Sequence, residues 1–360
     1  MPTRPVLVTG AAGFIGSHVT ERLTSMGRRV VGLDDLCDAY DPQLKRRNLA
    51  PSLAGDRFEL VQTDIRDRQG VLDAFETHRP ETVIHLAARA GVRPSIEQPA
   101  LYAGVNIDGT VHLLDAAVRH GCEKFIFASS SSVYGNNESV PFCEVDRVDH
   151  PISPYAATKK AGELICHTYW HLHGLPIFCL RFFTVYGPRQ RPDLAISRFL
   201  HLIRDGRPLD MYGDGSTSRD YTYIGDIVSG VVAALERCDR FRIYNLGSHN
   251  PIRLRDLIET VESVTGQSAE INPLPMPSGD VNRTWADLTR SGAELGYAPG
   301  TRLIDGIAKQ WEWMEGESDG ATERRRGEGK RRGLTKVTET CSPPPASSLR
   351  RSLPHPSHPA

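Results

Sequence analysis

Residues 6–18 read VLVTGAAGFIGSH, a short apolar run that breaks at three glycines, Gly10, Gly13 and Gly16, and then continues with helical spacing. A dinucleotide pyrophosphate needs such a turn between a strand and a helix. Without Cβ atoms in the way, backbone N–H groups and the helix N-terminus can approach the phosphates. A glycine triplet alone is weak evidence, so its surroundings matter. The next apolar run, RRVVGLDD, places Asp34 at the end of a second strand, where one carboxylate can accept both hydroxyls of an adenosine ribose. An acid at that position repels a 2′-phosphate, so NAD is expected over NADP.

Further along, RFELVQTD, TVIHLAA, KFIFASS and PIFCLRFF are continuous rather than alternating apolar runs, separated by helical segments. This pattern marks strands of a parallel sheet buried on both faces. The expected fold is α/β, a Rossmann-type doubly wound sheet with a smaller C-terminal substrate-binding lobe. The boundaries read as 1–187 for the NAD-binding part with its catalytic helix, 188–314 for what is mainly the substrate lobe, and 315–360 for a disordered basic and proline-rich tail. Asp64 and Ile65, and Leu86, Ala87 and Ala88, fall at the carboxyl ends of the third and fourth strands, where adenine and nicotinamide ribose would run.

With 360 residues and a formal net charge of -1, the chain has no global field for nucleic acid or an anionic membrane, and a small-molecule partner is expected. Its seven cysteines form no CxxC pair, which suits a reducing cytoplasm. The segment MPTRPVLVTGAAGFIGSHV has no uncharged h-region, and no run reaches the ~18 apolar residues of a membrane span. His167 and His171 have i, i+4 spacing but no H-E-x-x-H context, so no metal is expected.

The chemistry is expected in two later stretches. In SPYAATKK, Tyr155 and Lys159 are four apart and share a helix face. An ammonium beside a phenol, together with the nicotinamide cation, lowers the phenol from ~10 toward neutrality and makes it a base. In FIFASSSSVYG, residues 125–135, serines extend a buried strand directly into the crevice where ligands bind in such sheets. Ser130, Ser131 and Ser132 then read as wall hydroxyls.

In order along the chain, TGAAGFIG, SSSSVYG, YAATK, LRFFTVYGP and RDYTYIGDI resemble the extended short-chain dehydrogenase/reductase superfamily, and more narrowly its NAD-dependent nucleotide-sugar 4-epimerases of the UDP-glucuronate type. The likeness covers about residues 5 to 314. It implies a catalytic set of Ser130, Tyr155 and Lys159. It implies cofactor contacts from Gly10, Gly13, Phe14, Ile15, Gly16, Asp34, Asp64, Ile65, Leu86, Ala87, Ala88 and Asn106, with Tyr155 and Lys159. For the UDP-sugar it implies Tyr212 stacking on uracil, Arg219 in the RDY stretch, and Arg283 in place of an arginine that some epimerases carry before the late Gly279–Asp280 pair. Helices near 106–120 and along the Tyr155 segment resemble the pair that forms a four-helix homodimer interface, with Tyr169 and Trp170 as contact residues.

Related dehydratases and decarboxylases carry carboxylates just before the VYG. Here Ser131 and Ser132 stand there, so oxidation and re-reduction at C4 is expected with no elimination. Donors from Ser130, Ser131, Ser132 and Thr184 would hold a glucuronate carboxylate away from the alignment that releases CO₂. Either Arg189 or Arg191 would face the sugar, with Arg191 the better match. The leading expectation is conversion of UDP-glucuronate to UDP-galacturonate. A UDP-glucose 4-epimerase, a UDP-glucuronate decarboxylase and a non-enzymatic nucleotide sensor remain open.

Overall fold

A computed structural model describes residues 4–276 and 281–316. The chain divides into Met1–Met314 and Glu315–Ala360, and the first of these carries every strand of the described residues. The tail beyond residue 316 and the Gly279–Asp280 pair lie outside the described residues.

Among the described residues the strands are β1 (Val6–Thr9), β2 (Val30–Asp34), β3 (Phe58–Gln62), β4 (Thr82–His85), β5 (Lys124–Ser130), β6 (Ile177–Phe182), β7 (Thr184–Tyr186), β8 (Leu209–Tyr212), β9 (Ser218–Tyr223), β10 (Phe241–Leu246), β11 (Pro251–Arg253) and β12 (Ile271–Leu274). Seven of them form one parallel sheet in the order β10-β6-β5-β4-β1-β2-β3. The strand order reverses at β1, between β4 and β2, which opens a crevice at their carboxyl ends. The continuous apolar runs have the cause inferred for them. Val6 and Val8 enter one core with Val19, Leu23, Ile227 and Val231, whereas Leu7 points to the other with Val71, Phe75, Leu113 and Leu114. Both faces of the sheet are therefore covered by helices.

The boundary at 187/188 does not separate two bodies. Helix Ile224–Arg237 packs in the first core, and β10 pairs with β6, Phe241 opposite Ile177 through Leu246 opposite Phe182. The chain thus leaves the sheet after β6 and returns to complete its edge. Periodicity identifies a strand but not the sheet that it joins, which is why the linear boundary misleads. What extends beyond the sheet is built from β7, β9 and β11, the β8–β12 pair, and helices Ala195–Arg204, Leu254–Thr265 and 303–316. Their shared core includes Leu200, Leu257, Val261 and Ile307, with Trp311 and Trp313 packed against it. No helix among the described residues is long and apolar enough to cross a membrane.

Candidate active site

The glycine turn is built so that the backbone itself faces the crevice. Gly10 has φ +68°, and a Cβ there would sit 2.7 Å from the Ala87 nitrogen, so β1 and the end of β4 touch backbone to backbone. At Gly16 a Cβ would lie 2.0 Å from the Gly10 carbonyl oxygen. Only glycine fits either place. Gly13 caps helix Phe14–Ser25 with no side-chain cap bond, which leaves the first N–H groups of that helix for an anion. Phe14 belongs to the core that holds Val6 and Val8, and Ile65, whose carbonyl meets the His112 ring at 3.0 Å, belongs to the other.

Asp34 ends β2 nearly buried, and its carboxylate accepts from the Ala12 N–H (3.0 Å) and the Leu36 N–H (2.9 Å). It therefore clamps the glycine turn. Burial pushes its pKa up, and the buried Lys45 ammonium, 3.7 Å away, pulls it back down. Lys45 carries no local signal in the sequence, because only the fold brings its helix onto β2. Asp64 lies further along the same edge, held by Arg66 at 2.6 Å, and the Arg66 hydrogen bond keeps its carboxyl below the ordinary range. These features fit a dinucleotide, since both glycine positions form a cradle that any side chain would fill.

Asn106 sits in a π-helical turn, Gly104–Asp108. Its amide donates to the Arg89 carbonyl (3.0 Å) and the Thr158 hydroxyl (2.9 Å), and its oxygen accepts from the Arg89 N–H (2.8 Å). Both donors are engaged within the protein. Asn106 thus latches the π turn to the Tyr155 helix.

The serines and the Tyr155 helix, Pro154–His173, meet at the end of β5. Ser130 is the last residue of that strand and Ser131–Tyr134 forms a 3-10 turn. The Ser130 and Ser132 hydroxyls are 3.1 Å apart, and Ser130 hydrogen-bonds the Tyr155 phenol. Lys159 is buried on the same helix face, but its ammonium donates to the Ala128 carbonyl (2.7 Å). Burial lowers Lys159 to about 8. The expectation that Lys159 pulls the phenol down is not met in this geometry. Burial pushes Tyr155 up, and the Ser130 hydrogen bond and then the Arg191 charge oppose it. Lys159 reaches the strand, and so it anchors helix to sheet.

Behind this set lies a buried ion pair. Arg181 on β6 donates to Glu163 of the catalytic helix at 2.8 and 2.9 Å, and Ser129 donates to the same carboxylate at 2.6 Å. The first of the four serines is thus structural. Ser130 pairs with Phe182, which places Thr184, two residues on, beside the serine turn.

The loop after β7 separates the roles of the two arginines. Arg189, at φ +64°, turns onto helix Phe14–Ser25 and bonds Glu21 at 2.7 Å, and His18 meets the adjacent Pro188 carbonyl at 3.0 Å. Arg191 turns the other way. It contacts the Ala90 carbonyl at 3.4 Å, is held by Asp193 at 2.6 Å, and acts electrostatically on Tyr155, Tyr102 and Tyr40. Tyr102 stands edge-on to Tyr155 with ring centres 6.2 Å apart and donates to the same Ala90 carbonyl. Further out, Arg93 lies 4.8 Å over the Tyr212 ring and so covers one face of it. Arg219 donates to the Ser218 and Asn282 carbonyls, and Arg283 donates to the Glu138 carbonyl. A bridge pairs Ser218 with Arg283, which brings the two cations to one rim. Tyr102 and Arg93 have no motif around them. Their place follows from the loop after β4.

His167 packs edge-on against Phe241 and beside Trp170, as a packing histidine does.

Comparison with known proteins agrees with this geometry. The NAD dependent epimerase/dehydratase family matches residues 6–247. A probable UDP-glucuronate 4-epimerase of Rhizobium meliloti is 42% identical over 328 residues, 86% of this chain and 96% of that protein. The UDP-glucuronate 4-epimerase of Thermodesulfobacterium geofontis is 44% identical over 86% of this chain and 95% of its own length. Among solved structures, the Bacillus cereus UDP-glucuronic acid 4-epimerase with UDP-glucuronic acid and NAD superposes with a TM-score of 0.81 at 37% identity, covering 86% of this chain and 99% of that one. The Thermotoga maritima UDP-glucose 4-epimerase with UDP-glucose also gives 0.81, at 33% identity, with 87% and 99% coverage. With the glycine cradle, the Ser130–Tyr155–Lys159 set and these matches in hand, the chain belongs to the NAD dependent epimerase/dehydratase family.

Proposed function

We propose that this protein interconverts UDP-glucuronate and UDP-galacturonate by NAD-dependent epimerisation at C4. The observation that carries the reading is Arg191, a cation turned toward Tyr155 at a wall of hydroxyls with no carboxylate among Ser130, Ser131 and Ser132. The relatives that act on UDP-glucuronate support the same substrate.

The glycine cradle and the N-terminus of helix Phe14–Ser25 hold the pyrophosphate of NAD, and Asp34 takes the adenosine ribose. Bound there, NAD supplies the reversible hydride acceptor. Tyr155 removes the proton of the sugar 4-OH and, once the 4-keto sugar has turned over and is reduced on its opposite face, returns it to the C4 oxygen. Ser130 shares its hydrogen bond with that phenol and orients it. Lys159, fixed on the Ala128 carbonyl, anchors the helix that carries the base to β5. Oxidation makes a β-keto acid, which decarboxylates when its C5–carboxylate bond aligns with the carbonyl π system. Ser131, Ser132, Thr184 and Arg191 bind the carboxylate and keep it out of that alignment, without a like charge to repel it.

Tyr212, Arg219 and Arg283 form the rim for uracil and diphosphate, with one face of Tyr212 left to the base. The protein acts in the cytoplasm as a homodimer. Leu164 and Leu172 on helix Pro154–His173 are exposed at 57% and 71%, and a second copy would cover them. To test the function, the purified protein is incubated with UDP-glucuronate and the nucleotide products are resolved. UDP-galacturonate without CO₂ is expected, and Tyr155→Phe abolishes it while NAD stays bound. UDP-pentose with CO₂ would assign a decarboxylase instead.

A further inference from the structure

His85 ends β4 below the crevice and is 2% exposed. Its two ring nitrogens each have a hydroxyl partner, Thr9 Oγ1 at 2.7 Å from Nδ1 and Thr110 Oγ1 at 3.0 Å from Nε2. The direction of every bond in this chain can be worked out. The Thr110 hydroxyl is 2.7 Å from the Asn106 carbonyl, which accepts only, so its single proton points there. Nε2 must then carry a proton and donate to Thr110. Burial, and next the Lys159 ammonium, lower His85 to about 3, so the ring is neutral and Nδ1 accepts. Thr9 therefore donates to Nδ1, while its oxygen accepts the Ala87 N–H at 3.1 Å. One tautomer satisfies all of these groups.

The two ends of this chain are functional parts. Ala87 is the residue whose backbone touches Gly10 of the cradle, and Asn106 latches the π turn to Thr158 on the helix that carries Tyr155. Thr158 in turn donates to the Tyr155 carbonyl at 2.8 Å. π turns interrupt the i to i−4 ladder, and a side chain that serves the displaced carbonyl fixes where the turn sits.

We propose that His85, held as the neutral Nε2–H tautomer, is a positioning residue that sets the π turn at Asn106, and through it the register of the Tyr155 helix against the nicotinamide side of the cradle. It makes no contact with substrate. Its service to catalysis rests on the epimerase reading, whereas its tautomer and connections do not.

Two substitutions separate the ends of the ring. His85→Gln places an amide donor where Nε2 was and can still serve Thr110. His85→Asn reaches only the Nδ1 position and serves Thr9. Kinetics are measured on whichever UDP-sugar the wild type turns over, with bound NAD quantified in each variant. Gln should keep kcat within about threefold, whereas Asn should lower it roughly ten- to hundredfold with KM and NAD content near wild type. Nitrogen NMR of histidine-labelled holoenzyme, with the Gln variant assigning the signal, should show a protonated Nε2 and a bare Nδ1 that do not titrate between about pH 5 and 9. Equal kcat in the two variants, loss of NAD from both, or an Nδ1–H or titrating ring would each overturn the proposal. A wild type inactive on UDP-glucuronate would overturn the substrate reading and leave the NMR result standing.

Discussion

The sides of the crevice that we propose for the cofactor and for the sugar are made in different ways. On the cofactor side, recognition is backbone geometry. Gly10 and Gly16 fit because nothing else can, and Asp34 ties the turn to β2 through the Ala12 N–H. On the sugar side, long side chains from separate loops lean on one another: Arg191 on Asp193 and Ala90, Arg93 on Tyr212, Arg283 on Glu138. A rigid cradle suits a cofactor that is held through every turnover. Side chains tied by exposed contacts can exchange those partners for a substrate that must enter, turn over and leave. The exposed Arg191–Asp193 ion pair contributes only about 0–1 kcal/mol, so exchanging it is cheap.

The contrast predicts that backbone changes on the cofactor side cost most. Gly16→Ala puts a methyl 2.0 Å from the Gly10 carbonyl, with backbone on both sides and no flexible atom to give way. NAD affinity should fall on the order of a hundredfold or more, as a displacement of about 1 Å at a preorganised site costs. Titration of NAD into the variant checks this, and retention within threefold would remove the argument that the cradle is rigid.

The next effect is on stability, at the boundary between the two sides. Glu163→Gln leaves Arg181 buried beside a neutral partner, and a broken buried pair costs about 3–5 kcal/mol. A urea denaturation curve measures it. A loss below about 1 kcal/mol would mean that the catalytic helix is not held by this pair.

The smallest effect is on pH dependence. Lys159 is lowered to about 8 from 10.5, so between those values the unfolded chain binds more protons than the folded one. Stability from this group therefore rises with pH across that window and is reduced below it. Subtracting the stability curve of Lys159→Met from that of wild type should show that rise, and a flat difference would place the ammonium in water instead.

The same contrast explains what the sequence discloses. The cradle lies within one strand-turn-helix, so its three glycines and Asp34 are legible from spacing alone. Parallel strands are legible because burial on both faces removes the polar residues that alternation would show, as in Phe125–Ala128, which alternate between the two cores. The shared position of Tyr155 and Lys159 is legible because both lie on one helix. The sugar side is not. Whether Arg189 or Arg191 faces the sugar depends on Glu21, 168 residues from Arg189, and on Ala90, 101 residues from Arg191. Lys45, Arg93 and His85 gain meaning only from partners that folding brings to them. The placement of β10 at the edge of the main sheet escaped for the same reason, since its own residues do not record that β6 is its neighbour.

The most direct test of the account is the ratio of kcat/KM for UDP-glucuronate to that for UDP-glucose, measured in wild type, Arg191→Met and Arg189→Met. Charge-assisted hydrogen bonds contribute about 1.5–3 kcal/mol each, so wild type should favour UDP-glucuronate by on the order of a hundredfold. Arg191→Met should erase most of that preference with NAD binding unchanged, and Arg189→Met should keep it. A wild type that works on UDP-glucose at least as efficiently, or a preference that survives Arg191→Met and falls with Arg189→Met, would contradict it.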